Sequence, residues 1–187
     1  MRFEFIVYRI RQFWLAVNGA PDPGDLALAR SILTPQQMEL FQQMQLSEQA
    51  HSLQVCKRLA QHKESESGDE RDGLLVAALL HDVGKNRQPL SLLERVEIVV
   101  AHALLPEKSK AWAALPPGDA AGQKSGWRRP FVTAEHHAVW GAKMAAAAGA
   151  SPLAVALIRR HQELPNPGST GLEERLLARL QSADNNS

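Results

Sequence analysis

Residues 74–85 of this 187-residue chain read Leu-Leu-Val-Ala-Ala-Leu-Leu-His-Asp-Val-Gly-Lys. The first seven residues are apolar without a break, and a helix that is apolar on every side is buried. His81 and Asp82 follow at its end, and Gly84 is a natural residue for helix termination. Because a buried aspartate is rare unless it has a partner, this stretch predicts a central helix that carries two polar residues into the core.

The composition predicts that the rest of the chain is helical too. Ala and Leu number 27 and 25, whereas Val, Ile and Thr number only 11, 5 and 3. The first two residue types favour helices, and the other three favour strands. We therefore expect an all-α fold.

Apolar periodicity and capping residues predict where the other helices lie. They are expected over 2–18, 25–32, from Thr34 onward, and over 47–63, 73–83, 90–105, 131–149, 151–164 and 171–183. The charged segment 63–72 is interpreted as a solvated linker, and the Pro- and Gly-rich segment at about 106–130 as a long loop with one helical turn. The chain is thus divided into an N-terminal helical extension, 1–33, and a main domain, 34–187.

The segment 2–18 is predicted to be an amphipathic helix, because its apolar residues recur at helical spacing. Because the segment carries three arginines, a helix that lies on a membrane surface is one possible interpretation. Packing on the domain, or on a second subunit in a homo-oligomer, is the favoured alternative. No run of 18 apolar residues exists, so we expect no transmembrane segment.

The charge and the cysteine content exclude several classes of protein. Lys and Arg number 21 against 20 for Asp and Glu, which is no basic excess of the kind that a dedicated nucleic-acid binder shows. The single cysteine, Cys56, excludes an internal disulfide and a cysteine-based zinc or iron–sulfur site. A reducing, cytoplasmic location is therefore expected.

Four histidines and two aspartates lie on or near the inward faces of five predicted helices, with Asp82 directly beside His81. They are His51, His81, Asp82, His137, His161 and Asp184. A lone inward histidine is more often a hydrogen-bonded core residue, but buried residues of this kind on several helices can satisfy one another by sharing metal ions. His62 and His102 show no such pattern, and the position of His136 is ambiguous because its face carries Lys143.

In this order, the residues resemble the HD-domain superfamily of metal-dependent phosphohydrolases, and in particular its small bacterial HDIG-type members. The segment 79–85 is similar to the His-Asp signature, and 50–55 to the helix of the first ligand. Segments 137–142, 158–161 and 183–184 are similar to the later ligand positions. The resemblance covers residues 47–185 and implies a helical bundle that hydrolyses a phosphate ester or anhydride, with a nucleotide as the expected substrate.

The resemblance also implies a ligand set. One metal ion would be held by His51, His81, Asp82 and Asp184, and a second by His137 and His161 with Asp82 as the bridge. One or two divalent transition-metal ions are expected, because imidazole and carboxylate suit Fe, Mn, Zn, Co or Ni. Asp82 and Lys85 are the expected catalytic residues, and the phosphate of the substrate is expected to contact Lys85, Arg128, Arg129 and Arg160.

The sequence does not decide which substrate is bound or whether it is hydrolysed. The Gly-Tyr-Pro element of cyclic-di-GMP phosphodiesterases is missing after Lys85. A phosphomonoesterase, a phosphodiesterase and a dinucleoside polyphosphate hydrolase all remain compatible with the motifs. The alternative from another functional class is a non-catalytic sensor or interaction module that binds metal and nucleotide through the same fold.

Overall fold

A computed structural model describes residues 20–61, 67–114, 125–164, 168 and 170–187. Within these residues the fold is all-α, with no strand. The helices are α1 Pro23–Ile32, α2 Pro35–Gln42, α3 Leu46–Gln61, α4 Gly68–Leu80, α5 Leu92–Leu104, α6 Pro106–Trp112, α7 Arg129–Ala147, α8 Pro152–Arg160 and α9 Leu172–Asn185. The predicted helix 2–18 and His62 lie outside the described residues.

Helix α4 forms the centre of the core, as its sequence predicts. Residues 73–80 are all buried, and the helix packs against α3 on one side and α8 on another. Its first turn differs from the prediction, because residues 68–72 are helical and not part of a linker. The side chain of Ser67 accepts from the backbone N–H of Glu70, whose carboxylate accepts from the backbone N–H of Ser67, and this capping box starts the helix early.

The prediction of a long loop at 106–130 is wrong for part of that segment. Residues Pro106–Trp112 form α6, a 3₁₀ turn covers Gly126–Arg128, and α7 already begins at Arg129. A high content of proline and glycine favours a loop, but proline is also favoured in the first turn of a helix, where Pro106 and Pro130 lie. The ring of Trp112 lies 5.1 Å from that of Phe131, which anchors α6 to α7. Residues 115–124 lie outside the described part.

A 3₁₀ turn over Val83–Arg87 directly follows the His81-Asp82 pair and packs along α7. Its glycine, Gly84, has no room for a side chain: a Cβ atom there would lie 1.9 Å from the carbonyl oxygen of His137 and 2.6 Å from the backbone nitrogen of Gly141. The two backbones therefore touch, and this contact sets the register between the pair and α7.

Among the described residues, none of the helices combines the length and the apolar character that a membrane span needs.

Candidate metal centre

Five helices bring the six predicted polar residues together. His51 lies within α3 and His137 within α7, while Asp184 lies in the last turn of α9. His81 and His161 are the C-terminal caps of α4 and α8. The C-terminal end of a helix carries a partial negative charge, so two helix ends favour a cation at this place.

The first group of ligand atoms belongs to His51, His81 and Asp184. The Oδ1 atom of Asp184 lies 2.7 Å from Nε2 of His51 and 3.6 Å from Nε2 of His81. One ligand atom from each residue lies within 4.8 Å of the others. These three side chains could therefore hold one metal ion between α3, α4 and α9.

The second group belongs to Asp82, His137 and His161, which are all buried. The Oδ1 atom of Asp82 lies 3.2 Å from Nε2 of His137 and 4.0 Å from Nε2 of His161. The other oxygen, Oδ2, lies 3.7 Å from Nε2 of His81. Asp82 thus lies between the two groups, in a position where a bridging carboxylate would be.

The tautomers of the histidines fit a metal ion. In three of the histidines, the Nδ1 atom contacts a backbone carbonyl. His81 contacts Ala78 at 2.9 Å, His137 contacts Ala134 at 2.9 Å, and His161 contacts Ile158 at 2.7 Å. A carbonyl only accepts, so each Nδ1 carries a proton, and in a neutral ring each Nε2 then offers a lone pair to the cluster.

Two of these Nε2 atoms face each other in the buried part of the cluster. Nε2 of His137 lies 3.3 Å from Nε2 of His161, and both residues are buried. Two neutral rings in this tautomer would direct two lone pairs at each other, and Nε2 of His81 also has no hydrogen-bond partner. A cation bound at each ligand group would satisfy these atoms, so the residues present fit transition-metal ions.

One protein-family model matches the part of the chain that contains the cluster. The family model of the HD domain matches residues 49–185, a range that contains all six residues. The chain belongs to the HD-domain family. A search of curated proteins and a search of solved structures found no match. The resemblance seen in the sequence is thereby confirmed, and HD domains are generally metal-dependent phosphohydrolases.

Burial and mutual charge shift the pKa values of the HD-domain cluster in opposite directions. Burial lowers the pKa of His81, but the carboxylates of Asp82 and Asp184 outweigh it and raise that pKa to about 9. Burial lowers the pKa of His161 to about 3, and the neighbouring His81 and His137 add to this effect. In the absence of metal, one imidazole is therefore protonated and another is held neutral at pH 7.

The pKa values of both carboxyl groups fall. Burial opposes ionisation of Asp82, but the ammonium of Lys85 and the imidazole of His81 hold its pKa well below the usual value. Burial likewise opposes ionisation of Asp184, but the hydrogen bond to His51 and the nearby imidazole of His81 lower its pKa. Both groups are anionic at neutral pH, as metal ligands must be.

Lys85 lies next to the cluster, as its place in the sequence suggests, but its partners were not predicted. Its Nζ atom donates to Oδ2 of Asp82 at 2.6 Å and lies 3.8 Å from Oε1 of Glu48. Glu48 in turn pairs with Arg95 on α5 at 2.8 Å. A sequence signal existed for Glu48, because it precedes His51 by three residues and so shares its helix face.

The three arginines expected at the phosphate have other partners or lie elsewhere. Arg160 pairs with Glu163, Glu173 and Glu174, and thereby ties α8 to α9. Arg129 pairs with Glu94 and donates to the carbonyl of Pro89. Arg128 is half-buried in the turn before α7. The structure pairs none of these side chains with the six cluster residues, and their role at a phosphate stays a prediction.

The remaining histidines of the described part lie away from the cluster. Nε2 of His136 contacts the carbonyl of Ala113 at 3.1 Å, and its ring stacks on Trp140. His102 is exposed on α5. Of the two adjacent histidines, His137 belongs to the cluster and His136, whose position was ambiguous from the sequence, does not.

Proposed function

We propose that this HD domain is a metal-dependent phosphohydrolase that cleaves a phosphate ester or anhydride of a nucleotide. The observation that carries the proposal is the pair of Nε2 atoms of His137 and His161, 3.3 Å apart and next to Oδ1 of Asp82. Such a group of buried nitrogen and oxygen lone pairs is suited to a divalent transition metal, such as Fe, Mn, Zn, Co or Ni.

The residues would hold one or two ions. His51, His81 and Asp184 form one ligand group, His137 and His161 form the other, and Asp82 belongs to the second group with an oxygen directed towards the first. A bound ion would lower the pKa of a coordinated water and neutralise charge on the phosphoryl oxygens. The backbone carbonyls behind His81, His137 and His161 keep each ring in the ligating orientation.

Lys85 would supply positive charge beside the transferred phosphoryl group. Its ammonium is already at the cluster, and its side chain is 22% exposed, so it is within reach of a ligand that approaches from solvent. An ammonium stabilises the charge that develops on the phosphoryl oxygens in the transition state. Arg128, Arg129 and Arg160 remain candidates for a more distant phosphate contact, for which Arg129 and Arg160 would first have to leave their glutamate partners.

The experiment is a metal analysis of the purified protein followed by a substrate screen. Nucleoside mono-, di- and triphosphates, cyclic nucleotides and dinucleoside polyphosphates would be tested for phosphate release or bond cleavage. We expect bound transition metal and turnover of at least one of these compounds, and loss of both in Asp82→Ala. Bound metal with tight nucleotide binding but no turnover would instead indicate the non-catalytic sensor.

We further propose a cytoplasmic location and a contact role for the segment 2–18. Cys56 is buried and forms no disulfide, which is compatible with a reducing compartment. Deletion of residues 1–18 tests the contact role. A change in oligomeric state or in lipid binding would identify the partner, and unchanged behaviour in both assays would eliminate this part of the proposal.

A further inference from the structure

The ammonium group of Lys85 lies between two buried carboxylates. Nζ is 2.6 Å from Oδ2 of Asp82 and 3.8 Å from Oε1 of Glu48. The first separation is a charge-assisted hydrogen bond, whereas the second is an ion pair that is too long for one. The side chains of Asp82 and Glu48 are only 8% and 5% exposed, so each carboxylate depends on a nearby cation.

The two oxygens of Asp82 face different partners. Oδ1 lies beside His137 and His161 and is directed into the second ligand group. Oδ2 accepts from Lys85, although it also lies 3.7 Å from Nε2 of His81. A metal ion that bound through Oδ2 would therefore compete with the lysine ammonium for the same oxygen.

Glu48 offers the ammonium a second acceptor close by. Oε1 of Glu48 forms an ion pair with Arg95 at 2.8 Å, and Arg95 donates to the side chain of Gln45. This anchoring keeps a negative charge in place one turn before His51 on α3. Lys85 carries three N–H donors on a flexible stem, so a shift of about 1 Å would turn the longer contact into a hydrogen bond.

We propose that Lys85 neutralises Asp82 when the metal is absent, and that Glu48 accepts the lysine ammonium when a metal ion takes Asp82. Glu48 is then a positioning residue for Lys85. The step is an exchange of cations on the carboxylate of Asp82. Lys85 stays protonated throughout, so no proton is transferred. The inference rests on the proposed function only in that Asp82 is a metal ligand.

The proposal predicts effects of opposite sign for the two residues. Without the ammonium, Asp82 loses a competing cation and the metal loses a repulsive neighbour, so the metal binds more tightly. Without the charge of Glu48, the ammonium loses its second acceptor and stays on Asp82, so the metal binds more weakly. Because Glu48 acts through Lys85, its removal has no further effect once Lys85 is gone.

The experiment is a calorimetric titration of Mn²⁺ into the ion-free full chain, for the parent, Glu48→Gln, Lys85→Met and the double variant. We expect about tenfold tighter binding for Lys85→Met, about tenfold weaker binding for Glu48→Gln, and a double variant that matches Lys85→Met. Glu94→Gln is the matched control, because it makes the same chemical change at an α5 ion pair with Arg129 and leaves Lys85 untouched. Its affinity should equal that of the parent.

Several outcomes would overturn the exchange. If Glu48→Gln weakens Mn²⁺ binding equally with and without Lys85, Glu48 acts as a fixed charge. If Lys85→Met weakens Mn²⁺ binding, the ammonium does not compete with the metal for Asp82. This result overturns the exchange even if Glu48→Gln fails to fold. A parent protein that binds no Mn²⁺ or other divalent ion overturns the proposed function as well. If the parent binds Mn²⁺ but the effects of the two single substitutions simply add in the double variant, only the exchange is overturned.

Discussion

A Cβ atom at Gly84 would lie 1.9 Å from the carbonyl oxygen of His137. Gly84 lies two positions after Asp82, and His137 belongs to the same ligand group as Asp82. Because the turn and α7 meet backbone to backbone here, the position of His137 relative to Asp82 depends on the absence of a side chain.

Gly84→Ala should therefore destabilise the protein and disturb the cluster. The methyl group cannot move away from a backbone oxygen without separating the turn from α7, and we expect a loss of about 3 kcal/mol in the free energy of unfolding. Denaturant unfolding measures this. Gly68→Ala is the control, because a Cβ atom there meets nothing within 4 Å. Equal stability of the two variants would contradict the backbone contact.

Removal of either residue of the central pair should remove most of the metal. In His81→Ala or Asp82→Ala one ligand is lost, and the neighbouring ligands are left without their shared partner. Elemental analysis of the purified variants checks this. A metal content equal to that of the parent in both variants would refute the assignment of the ligands.

His137 and His136 form a matched pair of adjacent histidines on α7. Nε2 of His137 lies 3.2 Å from Asp82, whereas His136 contacts Ala113 and Trp140. We expect His137→Ala to lower the metal content and His136→Ala to leave it near normal. The reverse result would show that α7 has a different register in solution.

Lys85→Met should separate metal binding from turnover. We expect full metal occupancy and a near-normal melting temperature in the metal-loaded protein, but a loss on the order of a hundredfold in kcat on the substrate found by the screen. Lys143→Met, at an exposed position of α7, is the control and should behave like the parent. If Lys85→Met retains parental turnover, phosphate binding has to be reassigned to Arg128 or Arg160.

The metal-free protein should be most stable near pH 6.5. The pKa of His81 is raised to about 9, so the folded state keeps a proton that the unfolded state releases, and stability falls as the pH rises from about 6.5 to 9. The pKa of His161 is lowered to about 3, so only the unfolded state takes up that proton, and stability falls as the pH drops from about 6.5 to 3.

Urea unfolding at a series of pH values tests both sides of this profile. One proton sets an upper limit of about 1.4 kcal/mol per pH unit on the alkaline slope. His81→Gln should lack the alkaline decline, and metal-loaded protein should lack it too, because the metal replaces the proton on His81. An alkaline decline that persists in His81→Gln would assign the titration to another group.

The sequence by itself determined most of the helices and the residues of the candidate site. The apolar run 74–80 is buried as predicted, and the capping residues Thr34 and Ser151 begin their helices as expected. Periodicity also identified the inward side chains that now form two ligand groups. These features depend on neighbours within one or two helical turns, so they can be read along the chain. The early start of α4 was predictable in the same way, from the capping box of Ser67 and Glu70.

Only the tertiary structure decided how these side chains combine. His51 and Asp184 are 133 residues apart in the chain and 2.7 Å apart in space. Their contact, like the division into two groups and the place of Glu48 beside Lys85, depends on how α3, α4 and α9 pack against one another. Packing of this kind results from many long-range contacts at once, and no local pattern encodes it. The same reason explains why Arg129 and Arg160, which looked available for phosphate, proved to be paired with glutamates of other segments.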